Sequence, residues 1–168
     1  MTGGYLTTAV LTAGVLSTTI VATPPVLLIW NTTASMAPGL YRVTHGKPTR
    51  GQLAVARLPP SVQARAVTLG YILPRTPVVK RIAAATGDLV CRFGLIVAIN
   101  GRPVATAYRR DRYQRKLPAW HGCRRLASNE VFLLGRHADS FDGRYFGPTD
   151  VGQCLGVARP ILVQTNSY

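Results

Sequence analysis

Two side chains in this sequence have the types and surroundings for nucleophilic catalysis: a serine, Ser35, and a lysine, Lys80. Ser35 lies in the polar run Asn31-Thr32-Thr33-Ala34-Ser35, and Pro38-Gly39 close behind it forbid a helix from continuing there. Lys80 sits in Val78-Val79-Lys80-Arg81-Ile82, where strand alternation puts Val78 and Ile82 on its own face and Val79 and Arg81 on the other. A lysine accepts a proton near neutral pH only if burial pulls its pKa down from about 10.4 by several units, and aliphatic neighbours supply that burial. Each residue also has a plain reading, a loop serine and a lysine snorkelling at the surface. A third segment, Asp139 to Gly147, carries Ser140, Asp142 and Arg144 close together.

Other catalytic classes are poorly supplied. His45, His121 and His137 fall in turns or irregular stretches, and no G-x-S-x-G elbow exists. The six acidic residues give thin support to a paired-carboxylate mechanism, and no Cys/His spacing suggests zinc. No cofactor is expected. Of Cys91, Cys123 and Cys154, two can pair if the domain lies outside the cytoplasm, and the sequence does not say which two; three unpaired buried thiols are the equal alternative.

The elements that must position these groups are short strands. Leu40 to Val43, Leu53 to Ala56, Val78 to Ala84, Leu89 to Arg92, Leu95 to Ile99, Pro103 to Ala107, Val131 to Leu134 and Cys154 to Ala158 read as strands. Asn100-Gly101 signals a type I′ hairpin. Ser61 to Leu69, between Pro59-Pro60 and Gly70, is the one short soluble helix, and residues 108 to 130 read as an irregular surface excursion. Ahead of this domain, Thr2 to Tyr41 bears no charged side chain, and Leu6 to Ile29 is long enough for a single membrane-spanning helix, with Trp30 placed as an interfacial aromatic. A cleavable signal peptide and a buried core helix are the competing readings of that run. The expected organisation is therefore a membrane anchor over residues 1–30 and a compact, mainly β, antiparallel catalytic domain over residues 31–168.

A net charge of +14, from 20 basic against 6 acidic residues, favours anionic partners such as lipid headgroups. The bases are scattered, and no specific nucleic-acid motif accompanies them.

Taken together, three segments resemble the boxes of type I signal peptidases. Ser35-Met36-Ala37-Pro38 resembles the Ser-Met-x-Pro box, Lys80-Arg81 with Gly87-Asp88 resembles the lysine box, and Ser140 to Gly147 resembles the terminal Ser-x-Asp-Ser-Arg-Tyr box. Gly39-Leu40-Tyr41, Leu117 to Cys123, Glu130 to Leu134 and Ser140 to Pro148 are similar to one branch, the TraF-type peptidases of conjugative plasmid transfer. The resemblance implies a signal-peptidase-like fold and a serine endopeptidase with a Ser/Lys dyad: Ser35 the nucleophile and Lys80 its base, with Asp142 tied to activity. It further implies an oxyanion hole from the Thr33 hydroxyl and the Ser35 N–H, support from Ser140 and Arg144, and substrate contacts at Met36 and Pro38.

The implied setting is the periplasmic face of a bacterial inner membrane, crossed once. The implied partners are a propilin or other preprotein substrate, membrane lipids and further conjugative transfer proteins. In that branch an amine of the substrate can replace water in resolving the acyl-enzyme, giving a cyclic pilin. Departures, Gly135-Arg136-His137-Ala138 before the last box, Gly143 within it and no counterpart of the large second β domain, favour a dedicated substrate over housekeeping cleavage of exported preproteins. A catalytically silent, basic component of the transfer channel is the rival of another class.

Overall fold

The structure, a computed structural model, describes residues 28–164. Among these residues eleven strands and two short α-helices follow in order: β1 (Leu28–Asn31), β2 (Gly39–Thr44), β3 (Leu53–Ala56), α1 (Pro60–Thr68), β4 (Val78–Ala84), β5 (Leu89–Phe93), β6 (Ile96–Ile99), β7 (Arg102–Thr106), β8 (Gly122–Arg125), β9 (Glu130–Leu134), α2 (Gly143–Phe146), β10 (Thr149–Asp150) and β11 (Cys154–Val163). They build a seven-stranded sheet, β1-β2-β11-β3-β4-β9-β10, and a four-stranded sheet, β7-β6-β5-β8. The chain is mainly β, as its patterning implies, and the strand pairings within both sheets are antiparallel.

Most of the expected membrane anchor lies outside the described residues, and among those described no helix is long and apolar enough to cross a bilayer. Leu28 and Ile29, placed by the sequence reading at the end of the apolar run, instead form part of β1 at the edge of the large sheet, and Leu28 pairs with Arg42.

Side chains along β4 alternate between two faces, as the strand period demands. Val79 points into a cluster with Met36, Tyr41, Val43, Val55 and Ala158, whereas Ile82 joins Ala54, Ala56, Val131 and Leu133 on the opposite face, with Val78 packed against them. Lys80 therefore shares the face of Val78 and Ile82. Its cross-strand partner is Ala54, whose small, fully buried side chain leaves space for a long one. A third cluster, including Val90, Val97, Leu126, Phe132 and Leu134, joins residues of the two sheets.

Two local signals hold as read. Asn100 and Gly101 both take positive φ, 50° and 79°, at the β6–β7 turn. The soluble helix runs from Pro60 to Thr68 with proline in its first turn. The excursion over 108–130 is more ordered than expected, because it contains β8. Cys123 of β8 lies directly opposite Cys91 of β5, and the two form a disulfide, leaving Cys154 free.

Candidate active site

The turn between β1 and β2 presents Ser35, and one asparagine shapes it. The Asn31 side-chain amide donates to the carbonyls of Thr33 (2.9 Å), Met36 (3.1 Å) and Ala37 (3.2 Å). Its Oδ1 accepts from the Thr33 N–H at 3.3 Å and from the Thr33 hydroxyl at 3.0 Å. The turn is closed from beneath by the Tyr41 hydroxyl, which donates to the Ala37 carbonyl at 2.6 Å. At its exit Gly39 takes φ +141°, and a Cβ there would stand 2.2 Å from the Leu162 carbonyl oxygen, so only glycine lets β11 pass.

Within this turn Ser35 is 8 % exposed, and its Oγ lies 2.9 Å from the Thr33 hydroxyl. Thr33 has one hydroxyl proton, and it goes to Asn31, so Ser35 is the donor in its contact with Thr33.

Lys80 is 4 % exposed, and its Nζ donates to the Ser140 hydroxyl at 2.8 Å. Burial among aliphatic groups is the largest influence on it and lowers its pKa to about 8; the Asp142 charge opposes that fall and the Arg144 charge assists it. Lys80, Ser35, Thr33 and Ser140 line one cavity of about 670 Å³, whose walls include Leu58, Ala66, Tyr71 and Leu117. No hydrogen bond joins Lys80 to Ser35: the amine rests on Ser140 and the hydroxyl on Thr33.

Gly135 is where the segments of Ser35 and Ser140 meet. A Cβ on it would stand 2.1 Å from the Ser140 hydroxyl and 2.9 Å from the Ser35 carbonyl oxygen, so the Ser140 and Ser35 segments converge on a position that admits no side chain. The next residue, Arg136, donates its N–H to the same Ser35 carbonyl at 2.6 Å.

Asp142 is fully buried, and its carboxylate is saturated. It accepts from the Gly135 N–H (2.8 Å), the Arg144 N–H (3.1 Å), Arg144 Nε (2.9 Å) and an Arg144 terminal nitrogen (3.0 Å). Arg144 also donates to the carbonyls of Ala138 (2.9 Å) and Gly135 (3.2 Å). The pair braces the segment that carries Ser140, and Asp142 does not line the cavity. The sequence reading expects Asp142 among the catalytic residues; the structure places its carboxylate against Arg144 and the backbone, outside the cavity lining.

Two further expected site residues also lie off this cavity. Met36, expected as a substrate contact, is buried in the cluster with Tyr41, Val43 and Val79 and does not line the cavity. Pro38 lies outside the cavity of Ser35 and Lys80 and lines a separate depression with Trp30 and Leu162. Conversely, Asn31 and Gly135 emerge only from the structure. The Asn-Thr-Thr sequence, a signal for side-chain-to-backbone turns, is what could have singled out Asn31.

Among the described residues no group of three or more His, Cys, Asp or Glu could hold a metal ion. The chemistry available is that of a hydroxyl, a buried amine with a lowered pKa and a largely apolar cleft beside them.

Comparison with known proteins gives the following matches. The family described as signal peptidase, peptidase S26, matches residues 2–163. A plasmid transfer protein TraF of Escherichia coli is 34% identical over 144 residues, covering 79% of this chain and 81% of its own. A second plasmid transfer protein TraF of Escherichia coli is 32% identical over 142 residues, covering 82% and 77%. A probable conjugal transfer protein TraF of Sinorhizobium fredii is 29% identical over 143 residues, covering 79% and 75%. The crystal structure of a signal peptidase I from Enterococcus faecalis aligns with 68% of this chain and 98% of that one, at a TM-score of 0.40 and 20% identity.

Proposed function

Since the chain belongs to the signal peptidase, peptidase S26, family, in its TraF-type branch, we propose that it is a membrane-anchored serine endopeptidase of a conjugative transfer system, with Ser35 as nucleophile and Lys80 as general base. The observation that carries this reading is the buried Lys80 amine, hydrogen-bonded to Ser140 in the cavity that Ser35 also lines.

Neutral Lys80 takes the Ser35 proton as Oγ attacks the scissile carbonyl. The oxyanion that forms is met by the Ser35 N–H and by the Thr33 hydroxyl once its proton turns from Asn31 toward the cavity; a donor so placed is worth ~3–4 kcal/mol. Protonated Lys80 then gives its proton to the leaving amine, and an ester on Ser35 remains. Ser140 holds the amine in place through these steps, and the Asp142–Arg144 pair holds Ser140. Water resolves the ester to a trimmed product. An amine at the substrate's own amino terminus, held beside the ester, competes with water because effective molarities reach ~10⁵ M or more.

The substrate under this reading is a propilin, presented at the periplasmic face of the inner membrane by a segment the anchor keeps near the bilayer. The test is processing of the cognate propilin in membranes carrying the wild-type, Ser35→Ala or Lys80→Ala protein. Both variants lose processing if the reading holds, and undiminished processing by either overturns it. Mass spectrometry of the product separates the two fates of the ester: a mass one water below that of the trimmed linear chain marks cyclisation.

A further inference from the structure

The cavity of Ser35 and Lys80 is bordered by a basic loop, of which Arg112 lines the cavity itself, and the chemistry above leaves that charge unused. Segment 108–117 carries five basic side chains, Arg109, Arg110, Arg112, Arg115 and Lys116, against one acid, Asp111. Asp111 is fully engaged within the segment. Its Oδ2 accepts from the Tyr71 hydroxyl (2.8 Å) and Arg115 Nε (2.7 Å), and its Oδ1 accepts from the N–H groups of Tyr113 (2.8 Å) and Arg115 (2.9 Å). Tyr71 follows directly on the turn that ends α1, so this network fixes the segment to the cavity wall. The bridge between Arg110 and Lys116, and the Leu117 N–H donating to the Arg109 carbonyl at 3.0 Å, close it into a hairpin-like loop.

What the loop leaves over is charge. Arg115 is consumed by Asp111, and Arg110 donates to the Gln114 carbonyl at 2.6 Å. Arg109 and Arg112 are exposed and pair with no carboxylate among the described residues. Arg112 lines the cavity itself, and its guanidinium lies 4.8 Å from the centre of the Tyr113 ring, a stacking contact that limits its freedom before any ligand arrives. The other acid on the cavity wall, Asp139, lies 3.8 Å from His137 and remains exposed.

We propose that the loop over residues 108–117 is a carboxylate-recognition rim, and that the substrate carries glutamate or aspartate next to the residues it places in the cavity. The occupant's being a peptide rests on the peptidase reading. Arg112, oriented by Tyr113, takes the acidic side chain, with the exposed Arg109 of the same loop adding positive charge, because a guanidinium fork suits a carboxylate and no carboxylate among the described residues pairs with it. A peptide is favoured over an anionic lipid because Arg112 faces the cavity that contains Ser35 and Lys80. In this setting the charge gives the substrate its register on the enzyme, and the apolar walls take the flanking side chains.

The test measures binding without turnover. The full-length Ser35→Ala protein in zwitterionic micelles is titrated with fluorescent, C-terminally amidated peptides of about twelve alanine and leucine residues, containing either two glutamates or two glutamines. The glutamate peptide is expected to bind ~10-fold more tightly at low salt, with the gap closing as salt screens the pair. Adding Arg109→Gln and Arg112→Gln makes the two peptides equal. Equal affinities before that change, or a preference that survives it, overturn the proposal. So does a result in which the double change alters only adhesion to phosphatidylglycerol vesicles, which assigns the rim to the membrane. Because no cleavage is read, loss of propilin processing in the Ser35→Ala and Lys80→Ala proteins tests the chemistry separately, and the binding preference tests the rim alone.

Discussion

Replacing Lys80 by methionine is expected to make the protein more stable at neutral pH while abolishing its proposed chemistry. The fall of the lysine pKa from 10.5 to about 8 corresponds to about 3 kcal/mol, at the ~1.4 kcal/mol that each pH decade represents. That is the cost of holding the buried amine as an ammonium. Methionine fills much of the same aliphatic volume without a charge. Against the gain stands the Ser140 hydroxyl, which loses its partner at a cost of about 1 kcal/mol. The net expectation is a variant more stable by about 2 kcal/mol near pH 7.

The pH dependence gives this prediction its edge. The folded pKa lies below the unfolded one, so between about 8 and 10.5 the unfolded chain binds the extra proton, and wild-type stability rises with pH across that window. The variant's advantage therefore stays full below about pH 8 and disappears, then reverses, by about pH 10.5. Tyr41, Tyr71, Tyr145 and Cys154, whose pKa values burial raises, titrate in both proteins and cancel in the difference. Urea unfolding of both full-length proteins in nonionic micelles, at pH values spanning neutral to strongly alkaline, reads it directly. A difference that stays constant with pH would show that Lys80 titrates alike folded and unfolded, and the reasoning about its burial would be wrong.

Other expectations concern the groups around the dyad. Asn31→Ala strips three carbonyls of the Ser35 turn of their donor, and should cost about 2–3 kcal/mol in unfolding experiments and ~100-fold in kcat/KM. Gly135→Ala puts a methyl group 2.1 Å from the Ser140 hydroxyl; cleavage should fall ~100-fold, and a pH profile for the remaining activity displaced from that of the wild type would trace the loss to Lys80. Replacing both Cys91 and Cys123 by serine removes a crosslink spanning 32 residues and should lower stability by about 3–4 kcal/mol. Because this bond lies in the four-stranded sheet, away from the cavity lining, kcat measured well below the melting temperature should hold.

How much of this was legible in the sequence depended on how local each signal was. The face of Lys80 followed from the two-residue period of Val78 to Ile82, and the Asn100-Gly101 turn followed from what its backbone conformation demands. Strand β8 escaped notice because Gly122-Cys123-Arg124-Arg125 is polar and mostly exposed, and is held in place by β5 and a disulfide whose pairing depends on cross-strand register. Strand β1 was absorbed into the apolar run because Leu28-Ile29-Trp30 carries no mark of where that run should end. Strand β11 runs through Pro160 to Val163, past the expected end at Ala158, because a register shift beside the proline lets pairing with β2 continue. The burial of Met36 was hidden for another reason: in a turn, which way a side chain points is decided by the fold around it, here by the Asn31 hydrogen bonds. The saturation of Asp142 by Arg144 and the Gly135 N–H was equally unreadable, since spacing in a motif does not say how many partners a carboxylate collects.

The most direct test of the central claim is the single-turnover rate of cleavage as a function of pH, measured under saturating enzyme so that formation of the Ser35 ester is observed. With Lys80 as base, the rate should climb about tenfold per pH unit below about 8 and level off above it. A rate that stays flat from mildly acidic to alkaline pH, or one that Lys80→Ala leaves intact, would contradict the account.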